Sequence, residues 1–374
     1  MSQNRIYLCL AHMSGNEQKF IQEAFDTNWV VPLGPNVNGF ESDLDAFVGE
    51  NKKTVALSAG TAAVHLALLA CGVGPGDEVI VQSFTFCASS HPITYLGATP
   101  VFVDSERDTW NMDPAALEKA FEKYPECKVV VVANLYGTPA KLDEICEICE
   151  RHGAILIEDA AESLSATYKG RQTGTFGKYN AISFNGNKII TTSGGGMLLS
   201  DDKDAIAKAR FWSTQSREPY PWYEHKEIGY NYRMSNVVAG IGRGQLIHLD
   251  EHKALKKKIW ETYSEELSGL PITLNPHTED SDPNYWLSCL LIDEGVSVKP
   301  EEIIKRLADE NVESRPIWKP MHMQPVFEGC DFISISEKSV GEDIFARGLC
   351  LPSDIKMTQE EQKEICSIIR SCFK

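Results

Sequence analysis

Between Thr54 and Ser200, short β-rich runs alternate with amphipathic helical patterns. This alternation limits the possible folds more than any other feature of the chain. The runs are 54–60 (TVALSAG), 77–83 (DEVIVQS), 99–104 (TPVFVD), 128–136 (KVVVVANLY), 154–160 (AILIEDA), 180–184 (NAISF) and 195–200 (GGMLLS). Helical patterns occupy 62–71, 114–123 and 142–152 between them. Strands this continuously apolar have no solvent face, so they predict a mostly parallel sheet covered by helices on both sides. The expected fold class is α/β, with a seven-stranded sheet in a large domain.

After Asp202 the pattern changes. A helix (DAIAKARFW) leads into an aromatic, proline-containing loop, SREPYPWYEHKEIGYNYRMS, and then a helical stretch over 236–268. The remainder mixes a strand, YWLSCLLID, with helices in PEEIIKRLADEN and TQEEQKEICSIIRSC. A chain of 374 residues suits two cores better than one. We therefore expect an N-terminal segment and large domain over 1–250, and a smaller α+β domain over 251–374. The first ten residues read as extended, followed by a helix over 15–28 with Ser14 as its N-cap.

A formal net charge of −17 argues against a surface for nucleic-acid phosphates. The basic run Lys253–Lys258 reads as one solvated helix face. Eleven cysteines, an odd number, suggest a reducing cytoplasm rather than a disulfide framework. Cys146 and Cys149 form a CxxC, but within helical periodicity and without a second pair, so they read as helix packing and no metal site is expected. No apolar run approaches the ~20 residues of a membrane span.

The chemistry centres on Tyr179–Ser200 (YNAISFNGNKIITTSGGGMLLS), where Lys188 is the one charged residue. Between apolar strands, such a lysine loses solvation, which lowers an ammonium pKa and makes a nucleophilic amine for Schiff-base chemistry with an aldehyde such as pyridoxal phosphate. The alternative is a loop-tip lysine in water. In an open α/β sheet, ligands bind beyond the carboxyl ends of the strands. Several polar residues fall there. Ser58-Ala59-Gly60-Thr61 leads into a helix and offers free amides to a phosphate, or is an ordinary cap. Asp159, at a strand end, suits a protonated pyridine nitrogen, or caps the next helix; Glu158 alternates away and reads as a structural charge. Phe86 is placed to stack on a flat ring or to join the core, and Ser183 to reach a phosphate. Asn231, in a loop without its own apolar anchor, is free to act in another subunit.

With these residues in hand, the chain resembles the fold-type-I, pyridoxal-phosphate-dependent sugar aminotransferases of the DegT/DnrJ type, nearly end to end. The motifs are LSAGTAAVHLALLACGVGPGDEVIVQSFTFCAS, GATPVFVD, LYGTPAKLDEI, LIEDAAES, TGTFGKYNAISFNGNKIITTSGGGM, GYNYRMS, RPIWKPMHMQPVF and LCLPS. The resemblance implies that Lys188 forms the Schiff base and shuttles protons, Asp159 pairs with the pyridine nitrogen, and Phe86 stacks on the ring. It implies that Gly60, Thr61, Ala62 and Ser183 hold the phosphate, with Asn231 reaching the cofactor of the partner subunit in a homodimer. Glu162 would lie near the cofactor's phenolic oxygen, and Arg315, Tyr232 and His322 near the substrate, with a packing histidine the alternative for His322. Relatives commonly carry Gln where this chain has Glu162, and TTGEGG where it has TTSGGG. These departures look closest to the transaminases that make UDP-4-amino-4,6-dideoxy-N-acetylglucosamine, in the bacillosamine branch.

The resemblance implies amine transfer from L-glutamate to C4 of a UDP-linked 4-keto-6-deoxy-N-acetylhexosamine, in the cytoplasm. A deoxysugar dehydratase of the same fold is the alternative, but that group carries histidine at the position of Lys188. A non-catalytic cofactor-binding regulator is a third reading, for which a reactive amine has no use. No G-x-G-x-x-G follows an early strand, which counts against a dinucleotide enzyme.

Overall fold

The computed structural model describes residues 5–373; the expected extension of residues 1–4 lies outside it. All seven expected strands form with five residues each, six of them shortened and the run 180–184 shifted by one: Lys53–Leu57, Glu78–Gln82, Thr99–Val103, Val129–Ala133, Ile155–Asp159, Tyr179–Ser183 and Gly196–Ser200. They build one eight-stranded sheet in the order 53–57, 196–200, 179–183, 155–159, 129–133, 78–82, 99–103, with Phe332–Ile333 as the eighth strand at the far edge. Only Gly196–Ser200 runs against the rest, pairing antiparallel with both neighbours.

The central strand Val129–Ala133 is buried at all five positions. A fully buried valine contributes roughly 1.5–3 kcal/mol, so a VVVV run gains most where both faces are covered. Helices supply that cover. Leu142, Ile145, Ile148 and Cys149 share one face of the helix Leu142–Arg151 and join the apolar layer on one side. The helix Gly60–Ala70, buried over most of its length, fills the layer on the other. Cys146 and Cys149 therefore pack against the sheet, and burial pushes their thiols up to about 11 and about 12.

Strand register brings the chemistry to one edge. Asp159 pairs across the ladder with Ala133 on one side and Ala181 on the other. Asn134, Asp159 and Ser183 therefore leave the sheet close together.

A second core gathers Ile259, Tyr263, Leu290, Ile303, Leu307, Ile365 and Ile369 around a four-stranded antiparallel sheet. Its order is Ile272–Leu274, Cys289–Ile292, Gly348–Cys350, Arg315–Pro316. The flanking helices Pro300–Asp309 and Gln359–Cys372 lie where their periodicity predicts. Three pairings cross residue 250: Ile6 bridges Val312, Phe332–Ile333 lies parallel to Thr99–Val103, and Ser281–Asp282 runs antiparallel to Thr167–Tyr168.

Several expectations need correction. The helical stretch 236–268 is two helices, Asn236–Leu246 and Leu249–Glu266, because they serve different cores. Ala239 of the first packs with Phe40 and Phe184, whereas Ile259 and Tyr263 of the second pack in the small sheet's core. The first helix begins at Glu17, not Gly15, and Ser14 is not its N-cap. Instead the Glu17 carboxylate accepts both the Ser14 N–H and its hydroxyl, at 3.0 and 2.9 Å. The Lys253–Lys258 run is not one solvated face: Lys256 is buried, with its ammonium donating to the Trp286 carbonyl, the Ser353 carbonyl and Cys9 Sγ.

Candidate active site

A cavity of about 1070 Å³ opens at the carboxyl edge of the large sheet. Of the expected site residues, Gly60, Thr61, Phe86, Asp159, Glu162, Ser183, Lys188 and Arg315 all line it.

Lys188 sits in the loop between Tyr179–Ser183 and Gly196–Ser200, with its side chain 10% exposed. The uncharged surroundings expected for it are not found. Glu162, 26 residues earlier, brings Oε1 to 3.2 Å from Lys188 Nζ, and the Trp286 ring centroid lies 4.0 Å from the same nitrogen. Burial raises the Glu162 carboxyl above its usual range, while the Lys188 charge and the Tyr136 N–H pull in the other direction. That N–H donates to Glu162 Oε2 at 2.8 Å, from a residue with φ of 52°.

Asp159 closes the floor of the cavity. Its Oδ2 accepts the Ser89 hydroxyl at 2.7 Å and its Oδ1 the Ala161 N–H at 3.1 Å. Burial raises its carboxyl despite these donors and the Lys188 charge. No cation stands within ion-pair distance of it among the described residues. A buried carboxylate without a counter-ion, facing a cavity, suits a cationic ring nitrogen. Glu158 points the other way, fully buried, and accepts from Asn134 Nδ2, the Gly174 N–H and the Phe176 N–H at 2.8, 2.7 and 2.9 Å. It is a structural charge, as its alternation predicts.

On the other side of the lysine, the helix Gly60–Ala70 presents its N-terminus to the cavity. A methyl group at Gly60 would lie 2.9 Å from Ser183 Cβ, and one at Gly196 2.4 Å from the Gly60 nitrogen. Glycine at both positions lets three backbone segments converge into a cradle of amides beside the Ser183 hydroxyl. With the positive end of the helix dipole, that cradle fits a phosphate. Phe86, about half exposed, leans on Trp318 with ring centroids 5.4 Å apart and offers its other face to the cavity. The residues present thus fit an aromatic, phosphate-bearing cofactor with a basic ring nitrogen.

Four expected residues lie outside the lining. Ala62 is buried in the apolar layer one residue beyond Thr61. Asn231 is exposed and bridges Thr214. Tyr232 stacks on Tyr230 and its hydroxyl meets His65 Nδ1 at 3.2 Å, so its ring is spent on packing rather than on a substrate. His322 stacks on Phe332 and lies between Ser83 Oγ at 2.6 Å and Glu342 Oε1 at 3.0 Å. That serine–histidine–carboxylate order resembles a nucleophilic triad, but Ser83 is buried, and the set works as a strut tying the sheet to the 3-10 turn Met321–Met323.

Sequence reasoning missed Trp286, Ser89, Trp318 and the N-terminal segment Arg5–Leu10, all of which line the cavity. Trp286 and the N-terminal segment lie in none of the motifs, whereas Ser89 and Trp318 lie within two of them but carry no chemical signal of their own. The position of Thr85–Ser89 just beyond a strand end, where Cys87–Ser89 forms a 3-10 turn, was the one usable signal, and it pointed to Phe86 alone.

Comparison with known proteins agrees with this geometry. The family model described as DegT/DnrJ/EryC1/StrS aminotransferase matches residues 12–370. The chain is 50% identical over 375 residues to EpsN of Bacillus subtilis (strain 168), provisionally named a pyridoxal phosphate-dependent aminotransferase, with 99% of this chain and 96% of EpsN covered. It is 37% identical over 359 residues to the GDP-perosamine synthase of Caulobacter vibrioides, covering 96% and 95% of the two chains. The provisionally named sugar aminotransferase Spr1654 of Streptococcus pneumoniae, in its PLP form, superposes with a TM-score of 0.91 at 26% identity, over 99% and 98% of the chains. The same protein is also known in its PMP form. The fold is therefore that of the fold-type-I aminotransferases, and pyridoxal 5′-phosphate is the cofactor. The chain belongs to the DegT/DnrJ/EryC1/StrS aminotransferase family of pyridoxal phosphate-dependent sugar aminotransferases.

Proposed function

We propose that this protein transfers the amino group of L-glutamate to C4 of a UDP-linked 4-keto-6-deoxy-N-acetylhexosamine, by a two-step exchange in which glutamate leaves as 2-oxoglutarate before the sugar is aminated. The observation that carries the reading is the convergence of Lys188, Asp159 and the Gly60–Ser183 cradle in one cavity. Pyridoxal phosphate, when bound, supplies the electron sink that lets a C–H bond beside the amine be broken.

The chain's own groups do the rest. Lys188 moves the proton to and from the amine-bearing carbon, and an acid/base group must work near ambient pH. Asp159 holds a positive charge on the ring nitrogen. Gly60, Thr61 and Ala62, through the amides of the first helical turn, hold the phosphate with Ser183, and Phe86 covers one ring face. Glu162 holds the Lys188 ammonium. Arg315, exposed at the cavity mouth beside Glu313, is placed to meet an anionic part of the substrate.

We further propose a cytoplasmic homodimer with shared sites, in which Asn231 serves the partner's cofactor. Trp222, Tyr223 and Ile228, in the same loop, are exposed at 59%, 76% and 81%, and this apolar surface supports the assembly. No helix among the described residues is long and apolar enough to cross a membrane.

The test is amine transfer with L-glutamate to a panel of 4-keto-6-deoxy sugars carried on UDP, GDP and dTDP. The proposal expects turnover on the UDP-linked N-acetylhexosamine to exceed the others by at least about tenfold, or ~1.4 kcal/mol in transition-state binding. Preference for a GDP-linked sugar would overturn the substrate and keep the reaction. Loss of a sugar hydroxyl without glutamate consumption would identify a dehydratase instead.

A further inference from the structure

Asn284 lines no part of the cavity and is fully buried. Its carboxamide nevertheless touches every segment that contacts the Lys188 ammonium. Nδ2 donates to the carbonyls of Glu162 and Leu164, both at 2.8 Å, and Oδ1 accepts the Trp286 N–H at 3.0 Å. The Asn284 N–H donates to the Gly137 carbonyl at 3.1 Å. The amide orientation is fixed by these partners, since the flipped form would set oxygen against two carbonyls and NH₂ against an N–H.

Two of these partners, Glu162 and Trp286, stand one step from Lys188. Glu162 carries the carboxylate 3.2 Å from Nζ, and Trp286 carries the ring 4.0 Å from it. Gly137 follows Tyr136, whose N–H holds the other Glu162 oxygen. Trp286 also donates its indole N–H to the carbonyl of Asn187, the residue before the lysine, at 2.6 Å. A closed circuit results: Asn284 to Glu162, Glu162 to Lys188, Lys188 to Trp286, Trp286 back to Asn284. Room for it comes from Gly137, where a Cβ would lie 1.9 Å from Asn284 Oδ1 and where φ is +92°.

We propose that Asn284 is a positioning residue for amine transfer, which from behind the cavity wall fixes the carboxylate and the indole on either side of Lys188. It touches neither cofactor nor substrate. The inference rests on the aminotransferase reading of the site and adds to it the residue that aims the lysine. A buried carboxamide with every hydrogen-bonding position used holds its partners more rigidly than apolar packing would. A small misplacement of a catalytic group costs up to about 100-fold in rate.

The experiment compares wild type, Asn284→Ala, Glu162→Gln and the double variant, each loaded with pyridoxal phosphate. Four quantities are read: kcat and KM for the keto sugar, the pH midpoint of the cofactor's visible absorbance, and the thermal midpoint. The expected result for Asn284→Ala is a fall in kcat of roughly 10- to 100-fold with KM for the sugar within about threefold of wild type. The absorbance midpoint should move in the same direction as in Glu162→Gln, and the double variant should move no further than Glu162→Gln alone. Wild-type kcat and midpoint in Asn284→Ala, or shifts that simply add in the double variant, would overturn the assignment.

Asn284→Asp provides the second arm, because it keeps the acceptor for the Trp286 N–H and loses the two donations toward Glu162 and Leu164. It should show the midpoint shift as well. If both variants fail to fold even with cofactor, Asn284 is a folding residue and the positioning assignment is wrong. A wild-type protein that develops no visible band with pyridoxal phosphate fails the parent reading, a result distinct from all of these.

Discussion

Glu162 Oε1 lies 3.2 Å from Lys188 Nζ, with the two side chains 7% and 10% exposed. Residues 26 positions apart thus form a buried ion pair where the sequence offers a lysine without charged company. Removing one partner of such a pair leaves the other uncompensated, so the pair sets the direction of the lysine.

Glu162→Gln should therefore change stability in a pH-dependent way. Burial raises the Glu162 carboxyl, and the Lys188 charge only partly offsets it. A carboxyl raised in the folded state contributes most below its unfolded value of about 4.5, and that contribution is lost as pH rises through the folded value. Cofactor-free wild type and Glu162→Gln should melt alike near pH 4, with the variant gaining steadily toward neutrality. Thermal melts across that range decide it; a variant that loses ground with rising pH would mean that the ion pair outweighs the cost of burial. Turnover at neutral pH should fall by roughly 10- to 100-fold, since the lysine loses its partner.

Lys188→Ala removes the amine on which both half-reactions depend. Turnover should drop by at least about 10³-fold, while the circular-dichroism spectrum stays that of wild type. Activity within tenfold of wild type would remove the lysine from the mechanism.

At Gly60 two effects oppose each other. Alanine favours a helix by roughly 0.5–1 kcal/mol over glycine, but its methyl would lie 2.9 Å from Ser183 Cβ, a strand atom with little room to yield. Overpacking of this kind costs about 1–3 kcal/mol, so the clash wins. Gly60→Ala should bind pyridoxal phosphate some 5- to 100-fold more weakly and lose up to about 2 kcal/mol of stability. Fluorescence titration of the cofactor measures this, and unchanged affinity would place the phosphate elsewhere.

Glu17 ties the first helix to the body of the protein. Burial alone would raise its carboxyl, but the Ser14 N–H, the Gln245 amide and the Ser14 hydroxyl outweigh this and bring it down to about 2. A lowered carboxyl contributes stability above its unfolded value of about 4.5, and loses it as pH falls toward 2. Glu17→Gln should be less stable than wild type at pH 7, with the gap closing in acid. Urea melts at pH 7 and pH 3 provide the check; an equal gap at both would contradict the account.

The sequence made the sheet legible because its strands are buried on both faces. Near-continuous runs such as Val129–Ala133 announce themselves without an alignment. The helix Pro35–Val48 did not, since it opens with Pro-Asn-Val-Asn-Gly, which reads as a turn. Its first turn is held from 200 residues away, where Asn236 Oδ1 accepts the Asn36 and Val37 N–H groups at 2.8 and 3.3 Å. Gly34 leaves the space for that side chain. Phe332–Ile333 is too short to carry a period, and exists because the Thr99–Val103 edge is there to pair with it. The same division holds in the site. Lys188, Asp159, Gly60 and Ser183 end or follow strands, and that position made them candidates. Trp286 and Asn284 follow only the two-residue strand Ser281–Asp282, too short to show a period, and reach the lysine through tertiary packing.

The central claim is that Lys188 carries pyridoxal phosphate and that glutamate supplies the amine. The near-ultraviolet and visible spectrum of the purified protein, before and after L-glutamate, tests it most directly. The account predicts a yellow protein whose visible band gives way to that of the pyridoxamine form when glutamate is added. A protein that remains colourless after incubation with pyridoxal phosphate would contradict the role of Lys188, and a yellow protein indifferent to glutamate would contradict the donor.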